Sequence, residues 1–194
     1  MPAPAVRRAT YQDVLDAPEN MIAEVLYGTL YTMPRPAFSH ARVSSRLGVA
    51  LGKHFDDEDG PTGWLLLDEP ELHLGSEPDI LVPDLAGWRL ARVQPGMDDA
   101  PWTSIAPDWI CEVLSPATHV RDRGIKLDIY LRERVGHVWL VDPIAETLEI
   151  FRHNGTQWSR GSLHTGNVTV RAEPFDAIEL ELARLWKRRA PPQP

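Results

Sequence analysis

Two short apolar runs, Trp109-Ile110-Cys111-Glu112-Val113-Leu114 and His137-Val138-Trp139-Leu140-Val141, bracket a stretch of helical composition at residues 122–133. Gly136 ends that stretch and Asp142-Pro143 closes the second run. Strand, helix, strand in this order is a βαβ unit. It constrains the fold more than any other feature of the chain, because the two strands must lie parallel in one sheet with a right-handed crossover. The helix between them must then pack on a sheet face. All-helical and wholly antiparallel architectures are excluded.

Around that unit the pattern predicts a mixed α/β fold. Residues 10–17 form a short helix capped by Thr10 and stopped by Pro18. Residues 22–27 and 29–33 flank Gly28 as a hairpin, ended by Pro34 and Pro36. Ser39 caps a long helix over 40–55, with Val43, Leu47, Val49, Ala50 and Leu51 as its apolar set. An acidic turn at 56–61 leads to strands at 64–67, 71–74 and 80–88, the last running around Pro83. After a long connection over 89–106 and the βαβ unit, a hairpin of 147–152 and 157–160 turns at Asn154-Gly155 and extends the sheet. Residues 178–188 have helical composition.

A length of 194 residues suits a single domain over 1–194, with its core at about 10–186 and a loose tail at 187–194. No stretch approaches the ~18 apolar residues of a membrane span, and the basic residues near the start precede no apolar segment, so a cytoplasmic protein is expected. The single cysteine, Cys111, excludes an internal disulfide and a CxxC zinc site. The seven histidines form no HExxH pair. A net charge of −8 argues against a protein that coats nucleic acid, since phosphate neutralisation needs clustered Lys and Arg. It leaves room for an enzyme that visits DNA through a local basic patch.

Candidate chemistry lies in carboxylates at strand ends. Asp84 follows Pro83 inside the run Leu81-Val82-Pro83-Asp84-Leu85-Ala86, and Glu112 has apolar neighbours on both sides. A buried carboxylate is costly to ionise without a positive partner. One such acid could belong to a salt bridge; two on neighbouring strands point to a shared cation. Period-2 alternation puts Ile110, Glu112 and Leu114 on one face and Trp109, Cys111 and Val113 on the other. Cys111 therefore points away from Glu112 and reads as a buried small hydrophobe. On the crossover helix, Asp122, Lys126 and Tyr130 are spaced i, i+4, i+8 and stack on one face. If that face meets the sheet, Lys126 can reach the carboxylates; the ordinary alternative is a solvated Asp–Lys pair.

Four segments together resemble a known family: Val82-Pro83-Asp84-Leu85-Ala86; Pro107-Asp108-Trp109-Ile110-Cys111-Glu112-Val113-Leu114-Ser115-Pro116; Arg121-Asp122-Arg123-Gly124-Ile125-Lys126-Leu127-Asp128-Ile129-Tyr130; and His137-Val138-Trp139-Leu140-Val141-Asp142-Pro143. They are similar to the Uma family of restriction-endonuclease-type proteins, in the PD-(D/E)XK nuclease superfamily. The segment Glu24-Val25-Leu26-Tyr27-Gly28-Thr29-Leu30 followed by His40 resembles that family's N-terminal signature. The likeness covers roughly residues 10–185.

The resemblance implies a restriction-endonuclease-like core and a metal-dependent endonuclease that hydrolyses DNA phosphodiester bonds. Asp84 would be the acid of the PD motif and Glu112 the (D/E) acid, together holding Mg²⁺ or Mn²⁺. Leu114 stands where the superfamily places a strand lysine, and Lys126 on the following helix would take over, orienting or activating water. Glu24, His40 and Tyr130 are accessory candidates. Glu24 could equally be an exposed hairpin residue, and His40 a residue that opens its helix.

Other acids compete. Asp79, in a second Pro-Asp pair, rivals Asp84; Asp142 reads as a turn-former; Asp68, Glu69 and Glu71 read as a solvated loop face. Arg35, Arg42, Arg46 and Lys53 flank the long helix, and Arg121, Arg123, Arg132 and Arg134 the crossover helix, as a candidate DNA patch. A homodimer is a candidate assembly. The functional alternative is a non-catalytic binding or regulatory protein that keeps the fold. Against it stands the retention of Asp84, Glu112 and Lys126 together, which an inactive chain has no evident reason to keep. Alanine at Asp84 or Glu112 is expected to relieve carboxylate repulsion, leaving the metal-free protein no less stable.

Overall fold

The computed structural model describes residues 7–56, 63–97 and 99–186. In chain order its elements are α1 (Tyr11–Leu15), β1 (Met21–Leu26), β2 (Thr29–Pro34), α2 (Phe38–Phe55), β3 (Trp64–Asp68), β4 (Leu72–Leu74), β5 (Asp79–Leu81), β6 (Leu85–Arg89) and β7 (Trp109–Val113). There follow α3 (His119–Arg121), a wide π-helical turn (Asp122–Lys126), α4 (Leu127–Arg132), β8 (His137–Asp142), β9 (Thr147–His153), β10 (Trp158–Thr165), β11 (Thr169–Val170), β12 (Leu180–Glu181) and α5 (Ala183–Trp186). The expected acidic turn falls mostly, and the tail wholly, outside the described residues.

The βαβ unit forms as its sequence dictates. β7 and β8 pair in parallel, from Trp109 opposite His137 to Val113 opposite Val141, and α3, the wide turn and α4 make the crossover. They sit inside a six-stranded mixed sheet ordered β10-β9-β8-β7-β6-β3. Both faces of β7 are buried, and the alternation sorts them. Trp109, Cys111 and Val113 join Val43, Leu47 and Leu51 of α2, together with Trp139 and Phe175. Ile110 joins Leu127, Ile129 and Tyr130 of the crossover on the other face, where Leu26, Leu72 and Leu81 of a second sheet also pack. Each fully buried side chain of this size contributes roughly 1.5–3 kcal/mol, so the central strands anchor both layers. Trp109, Trp139 and Phe175 meet edge to face at 4.9–5.7 Å, the arrangement that ring quadrupoles favour.

The second sheet has four strands, ordered β2-β1-β5-β4. Its first hairpin closes through Tyr27-Gly28, with φ of 50° and 76°. Two successive positive φ values make a type I′ turn, and glycine at the second position relieves much of the cost.

Several boundaries differ from expectation for identifiable reasons. The strand foreseen over 80–88 is two strands in two sheets, because Pro83 has no N–H to give a ladder and the chain crosses between sheets there. Helix α2 begins at Phe38 with Ala37 as its cap, so Ser39 lies in the first turn instead of capping it. The helix foreseen at 178–188 shrinks to Ala183–Trp186, because Leu180–Glu181 pairs with Thr169–Val170. The last hairpin strand runs on to Thr165. Among the described residues no helix is long and apolar enough to cross a membrane.

Candidate active site

The strand break at Pro83 creates the site. As the chain passes from β5 to β6, the sheet ladders run out of backbone acceptors, and carboxylates stand in for them. Glu24 Oε1 accepts the Val82 N–H at 3.0 Å, and Asp84 Oδ2 accepts the Val113 N–H at 2.7 Å. In the β6–β7 register Leu85 faces Cys111, so continuing one residue sets Asp84 against Glu112. Like charges facing each other across two strands oppose folding unless something positive sits between them.

Lys126 supplies positive charge on the Glu112 side, while His40 meets Asp84. The wide turn and α4 pack on the face of β7 that carries Glu112, so the Lys126 side chain points inward and is buried. Its Nζ lies 2.8 Å from Glu24 Oε1, 3.2 Å from Glu112 Oε1 and 3.7 Å from Asp122 Oδ1. One turn on, Tyr130 donates its hydroxyl to Glu112 Oε1 at 2.5 Å. The helical spacing thus brings Asp122, Lys126 and Tyr130 together on the sheet-facing side, and the solvated Asp–Lys alternative is excluded.

The electrostatics follow from burial. Burial pushes the Glu112 carboxyl up; Lys126 pulls it down, but Asp122, Asp84 and Glu24 push up again, leaving it well above the usual carboxylate range. Asp122 is raised chiefly by burial too, against the pull of Lys126. For Lys126, burial favours the neutral amine, yet Glu112, Glu24 and Asp122 outweigh it and hold the ammonium above its ordinary value. Burial and the same acids raise Tyr130, so its phenol stays protonated and donating.

His40, on the first turns of α2, places Nε2 3.3 Å from Asp84 Oδ1. Burial lowers its pKa, but the hydrogen bond and charge of Asp84, the Val113 backbone and the Asp122 charge leave it raised. His40 is therefore a partner of Asp84 as well as a residue near the helix start. Glu24 is fully buried, which overturns the exposed-hairpin alternative. Asp122 was legible only as part of a helix face; its i, i+4 relation to Lys126 was the signal that it belongs to the cluster.

The remaining candidates sort cleanly. Asp79 lies in the second sheet, accepting from the Tyr27 N–H and from Arg132 at 2.8 Å, so it is a structural ion pair and no rival to Asp84. Cys111 is buried on the opposite face of β7, as expected. Asp142 accepts the Ile144 and Ala145 N–H groups as a turn-former. Asp68, Glu69 and Glu71 are partnered by Ser44, Arg35 and His73, so they are not simply a solvated face. Of the crossover's arginines and lysine, Arg134 is exposed and the others are engaged by acids. Arg121 pairs with Glu24, Arg123 with Glu149 and Arg132 with Asp79, while Lys126 is enclosed.

The end of β2 with the residues after it, 33–37, and the loop 115–118 flank a cleft of about 300 Å³ whose floor holds His40, Asp84, Glu112, Asp122 and Lys126. The donor set can be tested against a hard cation. Among the described residues no three His, Cys, Asp or Glu side chains converge as a ready-made metal cluster. Asp84 and Glu112 nonetheless supply two carboxylates at adjacent strand ends, the oxygen chemistry that Mg²⁺ or Mn²⁺ takes, with further positions left to carbonyl and water. Glu24 Oε2 and Asp122 Oδ1 are buried without a hydrogen bond and meet only longer ion-pair contacts, with Arg121 at 4.0 Å and Lys126 at 3.7 Å. The residues fit such an ion.

The comparisons agree with this architecture. In a crystal structure described as "a putative nuclease belonging to DUF820", from Anabaena variabilis, the similarity covers 92% of this chain and 97% of that one, with a TM-score of 0.73 and 21% identity. At that identity the likeness establishes the fold. No curated protein matches. The family model Uma2, described as "Putative restriction endonuclease", matches residues 9–183. With the match running through both sheets, the crossover and every residue of the carboxylate–lysine cluster, the chain belongs to the Uma2 family.

Proposed function

We propose that this protein is a divalent-metal-dependent endonuclease that hydrolyses DNA phosphodiester bonds, with a PD-(D/E)XK-type centre formed by Asp84, Glu112 and Lys126. The observation that carries the proposal is the convergence of Lys126 on Glu112 from the crossover helix, with Asp84 set opposite Glu112 at the end of the next strand. Asp84 and Glu112 would hold Mg²⁺ or Mn²⁺, which polarises a phosphoryl oxygen and lowers the pKa of bound water.

The chain's own groups have separable roles. Glu112, Glu24 and Asp122 favour the ammonium form of Lys126, which would place positive charge and N–H donors beside the scissile phosphate, in a cleft floor where charge is poorly screened. Tyr130 and Lys126 fix the Glu112 carboxylate from two sides, and His40 with the Val113 N–H fixes Asp84. Glu24 braces Lys126 from below. Such bracing holds ligands in place before substrate arrives.

The test is cleavage of plasmid and oligonucleotide DNA by purified protein with Mg²⁺ or Mn²⁺. The wild type should cleave, Asp84→Ala and Glu112→Ala should not, and Lys126→Ala should lose most of the rate. Wild type without divalent-dependent cleavage of single- or double-stranded DNA would overturn the proposal. A non-catalytic binding protein is the second reading, and one observation favours it. Asp84, Glu112, Glu24 and Lys126 hold the strand ends and each other, so folding alone gives an inactive chain reason to retain them.

A further inference from the structure

The walls of the cleft differ in kind from its floor. The floor is charged, but the flanking segments bring Met33, Pro34, Pro36 and Ala37 around Arg35 on one side and Pro116 and Ala117 between Ser115 and Thr118 on the other. Three prolines make these walls stiff as well as apolar. Directly after the first wall, at the head of α2, Phe38 is 94% exposed, the most exposed large hydrophobic side chain among the described residues. Scattered exposed apolar residues need no explanation, but an almost bare ring one residue beyond the cleft-lining Ala37 does.

We propose that the substrate enters this cleft as single-stranded DNA, one unpaired base lying between the apolar walls and a neighbouring base stacking on Phe38. The proposal rests on the nuclease reading and specifies its substrate. Three observations point the same way. A cleft of about 300 Å³ has room for roughly one nucleotide and no room for a duplex, which must present its backbone from outside. Beside the donors of Arg35, Ser115 and Thr118, the walls offer dispersion and apolar contact, the chemistry that a base face recognises and a phosphate backbone does not. The chain carries a net charge of −8, and Arg121, Arg123 and Arg132 of the crossover pair with internal carboxylates, which raises the share of affinity that base contacts supply. Binding of this kind tolerates sequence, because every base has a π-face.

The experiment measures binding apart from cleavage. An oligonucleotide carrying one 2-aminopurine is titrated with the full chain, with and without Ca²⁺, as a single strand, as a blunt duplex and as the matching RNA. The single DNA strand should bind tightest with a change in 2-aminopurine fluorescence. Phe38→Ala should weaken binding about fivefold or more, while Phe38→Trp should retain it. Equal or tighter binding of the duplex, a neutral Phe38→Ala, or tighter binding of RNA would each overturn the proposal. Cleavage of duplex without preference for single strands sinks this inference and leaves the nuclease reading standing. Single-strand binding with no divalent-dependent cleavage does the reverse.

Discussion

Replacing Lys126 by methionine keeps much of the stem volume and removes the charge, leaving Glu24, Glu112 and Asp122, all at most 2% exposed, without their central cation. Removing one partner of a buried ion pair costs about 3–5 kcal/mol, because the charge left behind stays buried and unpaired. Against a total stability of about 5–15 kcal/mol that is a large fraction, and for a domain of this size it lowers Tm by roughly 6–20 °C. The loss should depend on pH. Glu112 and Asp122 already sit above their ordinary values of 4.5 and 3.8, and losing Lys126 removes the main influence holding them down. A carboxyl raised in the folded state contributes stability that is complete below its unfolded pKa and lost as pH climbs through the folded one. The variant should therefore approach wild type near pH 4 and fall furthest behind it at pH 8. Urea unfolding of both proteins at pH 4.5, 6 and 8 measures this. Equal stability at pH 8, or a deficit that does not grow with pH, would refute the electrostatic account of the cluster. Adding Glu24→Gln to the variant should recover part of the loss, since one buried charge is removed with it.

Glu112→Ala strands the Tyr130 hydroxyl and takes one of three carboxylates from Lys126, so the metal-free variant should lose about 1–3 kcal/mol; this replaces the sequence-based expectation that it would be no less stable, and thermal unfolding in chelator decides between them. Tyr130→Phe deletes one hydrogen bond to a carboxylate and should cost about 1.5–3 kcal/mol by urea titration, with cleavage reduced but retained. Cys111→Ala should leave cleavage unchanged, and the native thiol should resist iodoacetamide, because burial and the nearby Asp84 and Glu112 charges push the thiol up and away from its reactive form.

The fold was most legible where hydrophobic period and chain connectivity act together. The βαβ unit, its parallel pairing and the two faces of β7 all follow from alternation and from the length of the crossover. Glu112 and Lys126 were readable for the same reason, being a carboxylate on a buried strand and a cation on the helix that must cover it. Glu24 was not resolved by pattern, because its burial depends on β5 pairing beside β1 across a long sequence separation, with Val25 opposite Ile80. Nor could propensity reveal that residues 80–88 divide between two sheets; the proline marked a break without saying where the chain goes next. The short pairing of β11 with β12 overrode helical composition at 178–182, a tertiary effect that local preference cannot see. Basic residues were the least legible group, since an arginine on a helix surface reads the same whether it faces phosphate or, as here, a neighbouring carboxylate.

The wide turn at Asp122–Lys126 makes the crossover helix one residue longer than a regular helix of the same span. Gly124 lies within it, with open space around its Cα. Shortening the chain there by one residue should close the turn into an ordinary α-helix. Everything upstream would then rotate by ~100° relative to Leu127–Arg132. The downstream half would keep its packing, while Asp122 and the 115–118 loop would swing off the acids. A single-codon deletion would therefore separate foldedness from the integrity of the site.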